Sequence, residues 1–437
     1  MLPYQKARET VISRIRAIPR IPATETVPLR DSLYRILAQD IVSDRDYPPF
    51  DRSVRDGYAV RAEDTHPDAR LKCIGELRAG EAPTIPVAPG TCIQIMTGAP
   101  LPDGADAVIM IEHTLRDGDT IQLDRAIKPD QHVVLRGSEQ VAGRTVLAAG
   151  ARLSFAGLAA AAQVGAANPI VTRKPRVAIL STGDEVVDFA STPGPFQIRN
   201  SNSVSLAAQV FLAGGEAVLL GNAKDSLDDL HCKIADGLQS DMLILSGGVS
   251  MGKYDFVEPV LKEFCAEMIF DAVAIRPGKP VVFAVCKGKL FEAQGKPVFG
   301  LPGNPVSTMV TFELFVRPAV DILSGTEPRP LPFIEAVITQ RLSEKPGLTH
   351  FLPAVLECGS PAAAFAASAA PRPQLREPGS RTASGSSSPG TPTVSPIPWQ
   401  GSGDVVAMAH ANCLLVVPPD RETIEVGERV LVLPRGL

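Results

Sequence analysis

Between Arg176 and Ser307, three short apolar runs each break into a polar, glycine-bearing loop. VAIL runs into STGDE (Ser181–Glu185), MLIL into SGGVSMGKYD (Ser246–Asp255) and PVFGL into LPGNP (Leu301–Pro305). Runs that are apolar at nearly every residue suit parallel strands covered on both faces. Loops that follow such strands share the carboxyl edge of one sheet, which is where open α/β sheets bind ligands. The pattern therefore predicts that Glu185, Asp255 and Asn304 face a common crevice.

Composition narrows the rest. A chain of 437 residues with 45% hydrophobic residues can fill two to four domain cores. The net charge of -5 offers no electrostatic footprint for nucleic acid or an anionic membrane, so neither is expected as a partner. The first twenty residues are charged throughout and lack an apolar core, and the longest apolar stretch, 156–167, is short and interrupted by Gln163. No export signal or membrane span is expected. Seven cysteines without a C-x-x-C pair, and six dispersed histidines, argue against a disulfide framework or a zinc site and for a reducing cytoplasm.

Along the chain, Ala7, Val11, Ile15 and Ile18 recur at helical spacing, and Asp31–Ala38 repeats the pattern. From Asp44 the text turns to short alternating stretches (YAVRAED, IQIMTG, AVIMIEHT, TIQLD) and reads as β. Gly150–Val164 is again helical and is expected to return to the amino-terminal helices. The expectation is a discontinuous helical linker domain (1–43 and 141–173), a β-rich domain (44–140), a three-layer α/β domain with a mostly parallel sheet (174–325) and a small β-barrel-like domain (326–437). The last is interrupted by a stretch rich in Ala, Pro, Ser, Gly and Thr at 360–396, read as a disordered insertion because it has too few large apolar residues to offset its ordering entropy.

The loops carry the chemistry. Ser246, Gly247 and Gly248 directly follow a buried strand, so the backbone can approach an anion and aim N–H donors at it. A glycine-rich turn without ligand explains the pattern as well. Asp225 and Asp255 each precede an amphipathic helix, where capping alone would account for them. Joined by Glu185 at one sheet edge, they also suit Mg²⁺, a hard ion that prefers oxygen ligands. Asn304-Pro305 reads as an N-cap followed by N1 proline. Arg276 and Lys279 in IRPGKP offer cations to phosphate or an oxyanion, or form a solvated turn.

Taken in order, FDRSVRDGYAV (Phe50–Val60), IMTGAPLPDGADAVIMIEHT (Ile95–Thr114), STGDE, NSNS (Asn200–Ser203), SGGVSMGKYDF, IRPGKP, LPGNPVS and WQGSGD (Trp399–Asp404) resemble the molybdopterin molybdenumtransferase family, to which MoeA and the gephyrin E-domain belong. The resemblance spans the chain outside the insertion. It implies an enzyme of molybdenum cofactor biosynthesis that takes adenylated molybdopterin (molybdopterin-AMP) and molybdate, uses Mg²⁺ and releases AMP. It also implies a homodimer with a shared active site and a molybdopterin adenylyltransferase as upstream partner. The positions it matches to functional groups are Asp56, Thr97, Glu139, Glu185, Asp225 and Asp255. Asp225 and Asp255 are read as Mg²⁺ ligands, Ser246, Gly247, Gly248, Pro302, Asn304 and Ser307 as the anion-holding loops, and Arg276 and Lys279 as charge stabilisers. Asp56 and Thr97 would complete the partner's site, although Asp-Gly is also a common turn pair.

The chain departs from the family pattern at Arg52, Val54 and Arg55, at Ser138-Glu139 where Glu-Asp is usual, and at Ala272 where lysine is frequent. Two alternatives stand beside this reading. Molybdopterin adenylylation would use a related α/β domain but would not require the flanking domains. A gephyrin-like non-catalytic scaffold would have no need of the acids at Glu185, Asp225 and Asp255.

Overall fold

The computed structural model describes residues 1–19, 22–224, 226–248, 257–264, 266–287, 295–357 and 391–435. They form two compact units, Thr24–Val171 and a second made of Met1–Ala23 with Thr172–Leu437.

In the first unit, a six-stranded sheet is built from β1 (Gly57–Val60), β2 (Arg70–Leu77), β3 (Thr91–Ile95), β4 (Ala107–Met110), β5 (Thr114–Asp117) and β6 (Thr120–Leu123), in the order β4-β1-β3-β2-β6-β5. Alternation sends Tyr58, Val60 and Ile109 into one core and Ala59, Ile93 and Val108 into another, so both faces are covered. A third core joins Leu37, Ile41 and Tyr47 to Leu153, Ala161 and Val171. Of the expected helical linker, the part within this unit holds one α-helix among its described residues, Phe155–Gln163, capped by Ser154. Asp31–Ala38 is not helical: a single 3₁₀ turn (Leu29–Asp31) gives way to Tyr34 at φ 61° and to isolated bridges at Ile36 and Leu37. Leu33 and Tyr34 stay exposed, so the apolar spacing there never becomes a buried helical stripe.

The second unit contains the expected α/β domain. Its sheet comprises β7 (Arg176–Thr182), β8 (Glu216–Ala223), β9 (Met242–Ser246), β10 (Ala266–Ala272), β11 (Pro280–Cys286) and β12 (Lys296–Leu301), ordered β8-β7-β9-β12-β11-β10. The first four strands are parallel, and β11 is antiparallel to both of its neighbours, β12 and β10. Successive residues of β7 and β9 serve opposite faces. Val177, Ile179, Met242 and Ile244 pack under α1 (Tyr4–Arg16), α2 (Asn202–Ala213) and the helix that starts at Pro305. Ala178, Leu180, Leu243 and Leu245 pack under α3 (Leu227–Gly237) and α4 (Val257–Glu263). These are the three layers. At about 1.5–3 kcal/mol for each fully buried aliphatic side chain, both faces of the sheet are anchored.

Helix α1 belongs here rather than to the linker, which corrects the expected grouping of 1–43. Its stripe of Ala7, Val11 and Ile15 is buried in the core of the α/β unit. The helix after β12 runs as α5 (Pro305–Thr311), a π-helical turn (Phe312–Val316) and α6 (Arg317–Leu323).

Five strands, β13 (Ile334–Ile338), β14 (Thr349–Glu357), β15 (Thr393–Pro396), β16 (Cys413–Val417) and β17 (Arg429–Pro434), close a small barrel in the order β14-β15-β13-β17-β16 and back to β14. A short helix, α7 (Val405–His410), precedes β16. Strand β15 corrects the carboxyl boundary of the expected insertion: Val394 is fully buried in the barrel core, and the TVSP segment pairs with β13 and β14. The part of that insertion at 360–390 lies outside the described residues. No helix among the described residues is long and apolar enough to cross a membrane.

Candidate functional site

The order of the parallel strands creates the site. The chain starts the sheet at β7, places β8 on one side of it and returns to place β9 on the other, so the connections that follow β7 and β9 run to opposite faces of the sheet. Such a switch point leaves a crevice between the outgoing loops. Thr182 and Gly183 leave β7 there, and Gly247 and Gly248 leave β9.

The two loops are tightly apposed. Gly247 has φ 94° and Gly248 φ 64°, and a Cβ at either would come within 2.8 and 2.9 Å of Thr182 Oγ1. Glycine is required by both the backbone and the neighbour. The Gly247 N–H is engaged by Leu301 O at 3.1 Å, which ties the SGG loop to the end of β12, and the next donor along the loop is the Gly248 N–H. Gly303 in turn lies against Gly247, since its Cβ would sit 3.6 Å from Gly247 Cα.

Asparagine side chains fasten these loops. Asn202, in the first turn of α2, donates through Nδ2 to Ser246 Oγ (2.9 Å) and to Gly303 O (2.7 Å). Asn200 Nδ2 donates to Ser181 Oγ, and its Oδ1 accepts from Ser203 N. On the other side of β7, Asn222 Nδ2 reaches Gly183 O and Val186 O. Asn202 and Asn222 each keep a buried Oδ1 with no partner among the described residues, an arrangement that is costly unless a ligand or water satisfies it. The sequence reading quoted NSNS as a motif without assigning these amides a role. Asparagines flanking a helix start immediately after a short strand were the available signal.

Ser246 and Ser307 are each only 3% exposed, so their hydroxyls belong to the scaffold of the crevice rather than to its surface. Pro302 is also buried, whereas Asn304 is exposed. Asn304 occupies the N-cap of α5 with Pro305 behind it, yet its side chain makes no capping bond. Contrary to the capping role expected, its amide stays available to a ligand. Glu185 is exposed, and its carboxylate folds back over Gly183, where a Cβ would lie 2.6 Å from Glu185 Oε2. The N-cap of α3 is Ser226, whose Oγ accepts from Asp229 N. Asp225 and Asp255 lie outside the described residues, and no group of three or more His, Cys, Asp or Glu that could hold a metal occurs among the described ones.

The IRPGKP loop runs along α5, because a Cβ at Gly278 would come within 2.6 Å of Thr311 Cγ2. Arg276 and Lys279 are exposed. Arg276 Nη1 is 3.6 Å from Glu344 Oε2, which also lies 3.0 Å from Nδ1 of the buried His350, while His350 Nε2 is 3.0 Å from Lys345 O. From the carboxyl-terminal region, Ser402 O accepts from Val306 N, so WQGSGD touches the start of α5.

In the β-rich unit, Asp56 Oδ1 accepts from Thr97 N (2.7 Å) and Thr97 Oγ1 (2.9 Å). The Thr97 backbone bond, followed by its hydroxyl, holds the Asp56 carboxyl below the usual carboxylate range. Glu139 Oε1 accepts from Arg52 Nη2 at 2.9 Å, so the departure at Arg52 supplies a cation to the acid at position 139. Both pairs stem from the 51–56 loop, which is bridged to Pro100 and paired with Val133–Val134.

A switch-point crevice built from glycine loops, neutral amides and flanking cations places this domain in the doubly wound α/β class. Three family models match: MoeA N-terminal region (domain I and II) over residues 2–165, probable molybdopterin binding domain over 178–321, and MoeA C-terminal region (domain IV) over 379–434. The chain is 31% identical to molybdopterin molybdenumtransferase of Staphylococcus aureus, over 99% of this chain and 95% of that one. Two crystal structures of the molybdopterin biosynthesis MoeA protein from Pyrococcus horikoshii superpose with TM-scores of 0.74 and 0.77. They are 33% and 27% identical, and cover 100% and 99% of this chain and 100% of their own. The chain belongs to the molybdopterin molybdenumtransferase (MoeA) family.

Proposed function

We propose that this protein is an enzyme of molybdenum cofactor biosynthesis that transfers molybdenum from molybdate to adenylated molybdopterin and releases AMP. The observation that carries this reading is the crevice at the carboxyl ends of β7, β9 and β12, which lies within the residues matched by the molybdopterin-binding model. The Gly248 N–H and the exposed Asn304 amide are suited to hold the pterin phosphate. Arg276 and Lys279 would offset the negative charge gathered when an oxyanion and a pyrophosphate share one crevice. Glu185, exposed beside Gly183, is a candidate for orienting water or a protonated group there.

Mg²⁺ would supply charge neutralisation at the phosphates. Asp225 and Asp255 are proposed as its ligands on sequence alone. We further propose a homodimer in which Asp56 and Thr97 of one subunit complete the crevice of the other, supplied by a molybdopterin adenylyltransferase acting upstream.

The test is AMP release from molybdopterin adenylate by purified protein, followed chromatographically with and without molybdate and Mg²⁺. Release that requires both supports the reading. Absence of AMP with folded protein and fresh substrate, or release indifferent to molybdate, would overturn it. For the dimer, mixing Asp56→Asn with Asn304→Ala subunits should restore part of the activity that each lacks alone. Failure of the mixture to recover would remove the shared site.

A further inference from the structure

A cleft of about 680 Å³ opens in the second unit, away from the switch point, among α2, α5 and the barrel end of the chain. That volume lies within the usual range of small-molecule sites, about 300–1,000 Å³. Leu212, Met309, Leu331, Met408, Leu414 and Leu433 make most of its wall apolar.

Four arginines also line it, and their charges are unequally matched. Arg317 is paired with Glu313, and Arg329 grips Asp321 through Nε and Nη2. Arg8 and Arg435 have no carboxylate in hydrogen-bond or ion-pair contact among the described residues. Arg8 donates to Leu314 O (2.8 Å) and Arg329 O (2.6 Å), and Arg435 to Met408 O and Ala411 O. Burial lowers the pKa of both, against the opposing attraction of Asp321 and Glu313 on Arg8 and of Glu313 on Arg435. In the same lining, Gln209 donates through Nε2 to Met309 O and Glu313 Oε1 and keeps a buried Oε1 without a partner among the described residues.

We propose that this cleft is a second ligand site, which takes a small organic anion with an apolar body. The anion would sit on Arg8 and Arg435, the body on the leucine and methionine wall, and a donor group on Gln209 Oε1. Bonds to carbonyls leave a guanidinium its remaining N–H groups and its charge, which an incoming carboxylate or sulfonate can engage directly.

The test reads binding, not turnover. Anilinonaphthalene sulfonate, an apolar anion, is titrated into the folded full-length protein by fluorescence, beside its neutral counterpart N-phenylnaphthylamine. The sulfonate should bind at one site per chain and more tightly than the neutral probe. Arg8→Gln and Arg435→Gln should each weaken it about tenfold, as expected for loss of one charge-assisted contact, and leave the neutral probe nearly unchanged. Should either variant fold poorly because its carbonyl contacts also matter, Ala208→Phe decides. It fills the cleft from the exposed face of α2 without touching an arginine and should abolish binding of both probes. Equal affinity for the two probes, or sulfonate binding undiminished by Ala208→Phe, would overturn the proposal and leave the arginines as caps on carbonyl groups.

Discussion

Asn202 joins the ends of two strands through a single amide: its Nδ2 donates to Ser246 Oγ at the end of β9 and to Gly303 O just after β12. Asn202 is 8% exposed, so water cannot replace these bonds. Asn202→Ala should cost about 1–3 kcal/mol of unfolding free energy, the range for leaving buried polar groups unsatisfied. Asn202→Asp should cost more, because a carboxylate cannot donate to Gly303 O and would be buried against it. Urea unfolding of the three proteins checks the order, and equal stabilities would show that the amide does not tie the loops.

Gly247→Ala tests the close approach of the loops. The residue sits at φ 94°, and its Cβ would meet Thr182 Oγ1 at 2.8 Å and Thr182 O at 3.1 Å. Strain of about 1–3 kcal/mol is expected, together with loss of molybdopterin binding, because the loop must move to relieve it. Adding Thr182→Ala removes only the side-chain clash, so it should recover part of the stability and not all. Thermal denaturation of the single and double variants reads both.

The Asp56 carboxyl has a depressed pKa, set first by the Thr97 N–H and then by its hydroxyl. A depressed carboxyl contributes stability that is present above its unfolded pKa and is lost as pH falls through the folded value. Asp56 therefore stays ionised into mildly acidic solution. Thr97→Val keeps the backbone bond and removes the hydroxyl, so it should raise the Asp56 pKa part of the way toward the ordinary value. Carboxyl ¹³C NMR titration measures this directly, and an unshifted titration would show that the hydroxyl contributes nothing.

Burial pushes the thiols of Cys92 and Cys413 up to about 12, whereas Cys232 is exposed. At pH 8 a thiol-disulfide reagent should label Cys232 in the native protein and leave Cys92 and Cys413 unmodified until the protein is denatured. Peptide mass mapping separates the sites. Native labelling of Cys413 at the rate of Cys232 would contradict the buried barrel core.

The central sheet was legible because its strands are spelled in the chain: residues covered on both faces must be apolar in succession, and VAIL, MLIL and PVFGL satisfy that without any partner being known. The loops that follow were legible for the same reason, since a strand that ends in glycine and polar residues marks the edge where the chain turns. Helix α1 shows where this stops. The stripe of Ala7, Val11 and Ile15 announces a buried helical face but carries no information about what covers it, and the fold sets it against the sheet of the α/β unit rather than against 141–173. At Asp31–Ala38 a helical spacing of apolar residues was met by a turn and two isolated bridges, because Ile36 and Leu37 find bridging partners at Arg152 and Val171. In TVSP, too short and too polar to announce a strand, the barrel needed one more edge, and Val394 filled its core.

Site chemistry divides in the same way. Residue types at the ends of strands, glycines, an asparagine before proline and scattered acids, were determined by the sequence as a set of candidates. Only the tertiary structure decided that Ser246 and Ser307 lie beneath the surface, that Asn304 leaves its amide uncommitted, and that Asn202 and Asn222 hold the crevice. Apolar periodicity is a property of each segment, whereas a hydrogen bond between Asn202 and Ser246 exists only when strand order brings residues distant in the chain to one edge.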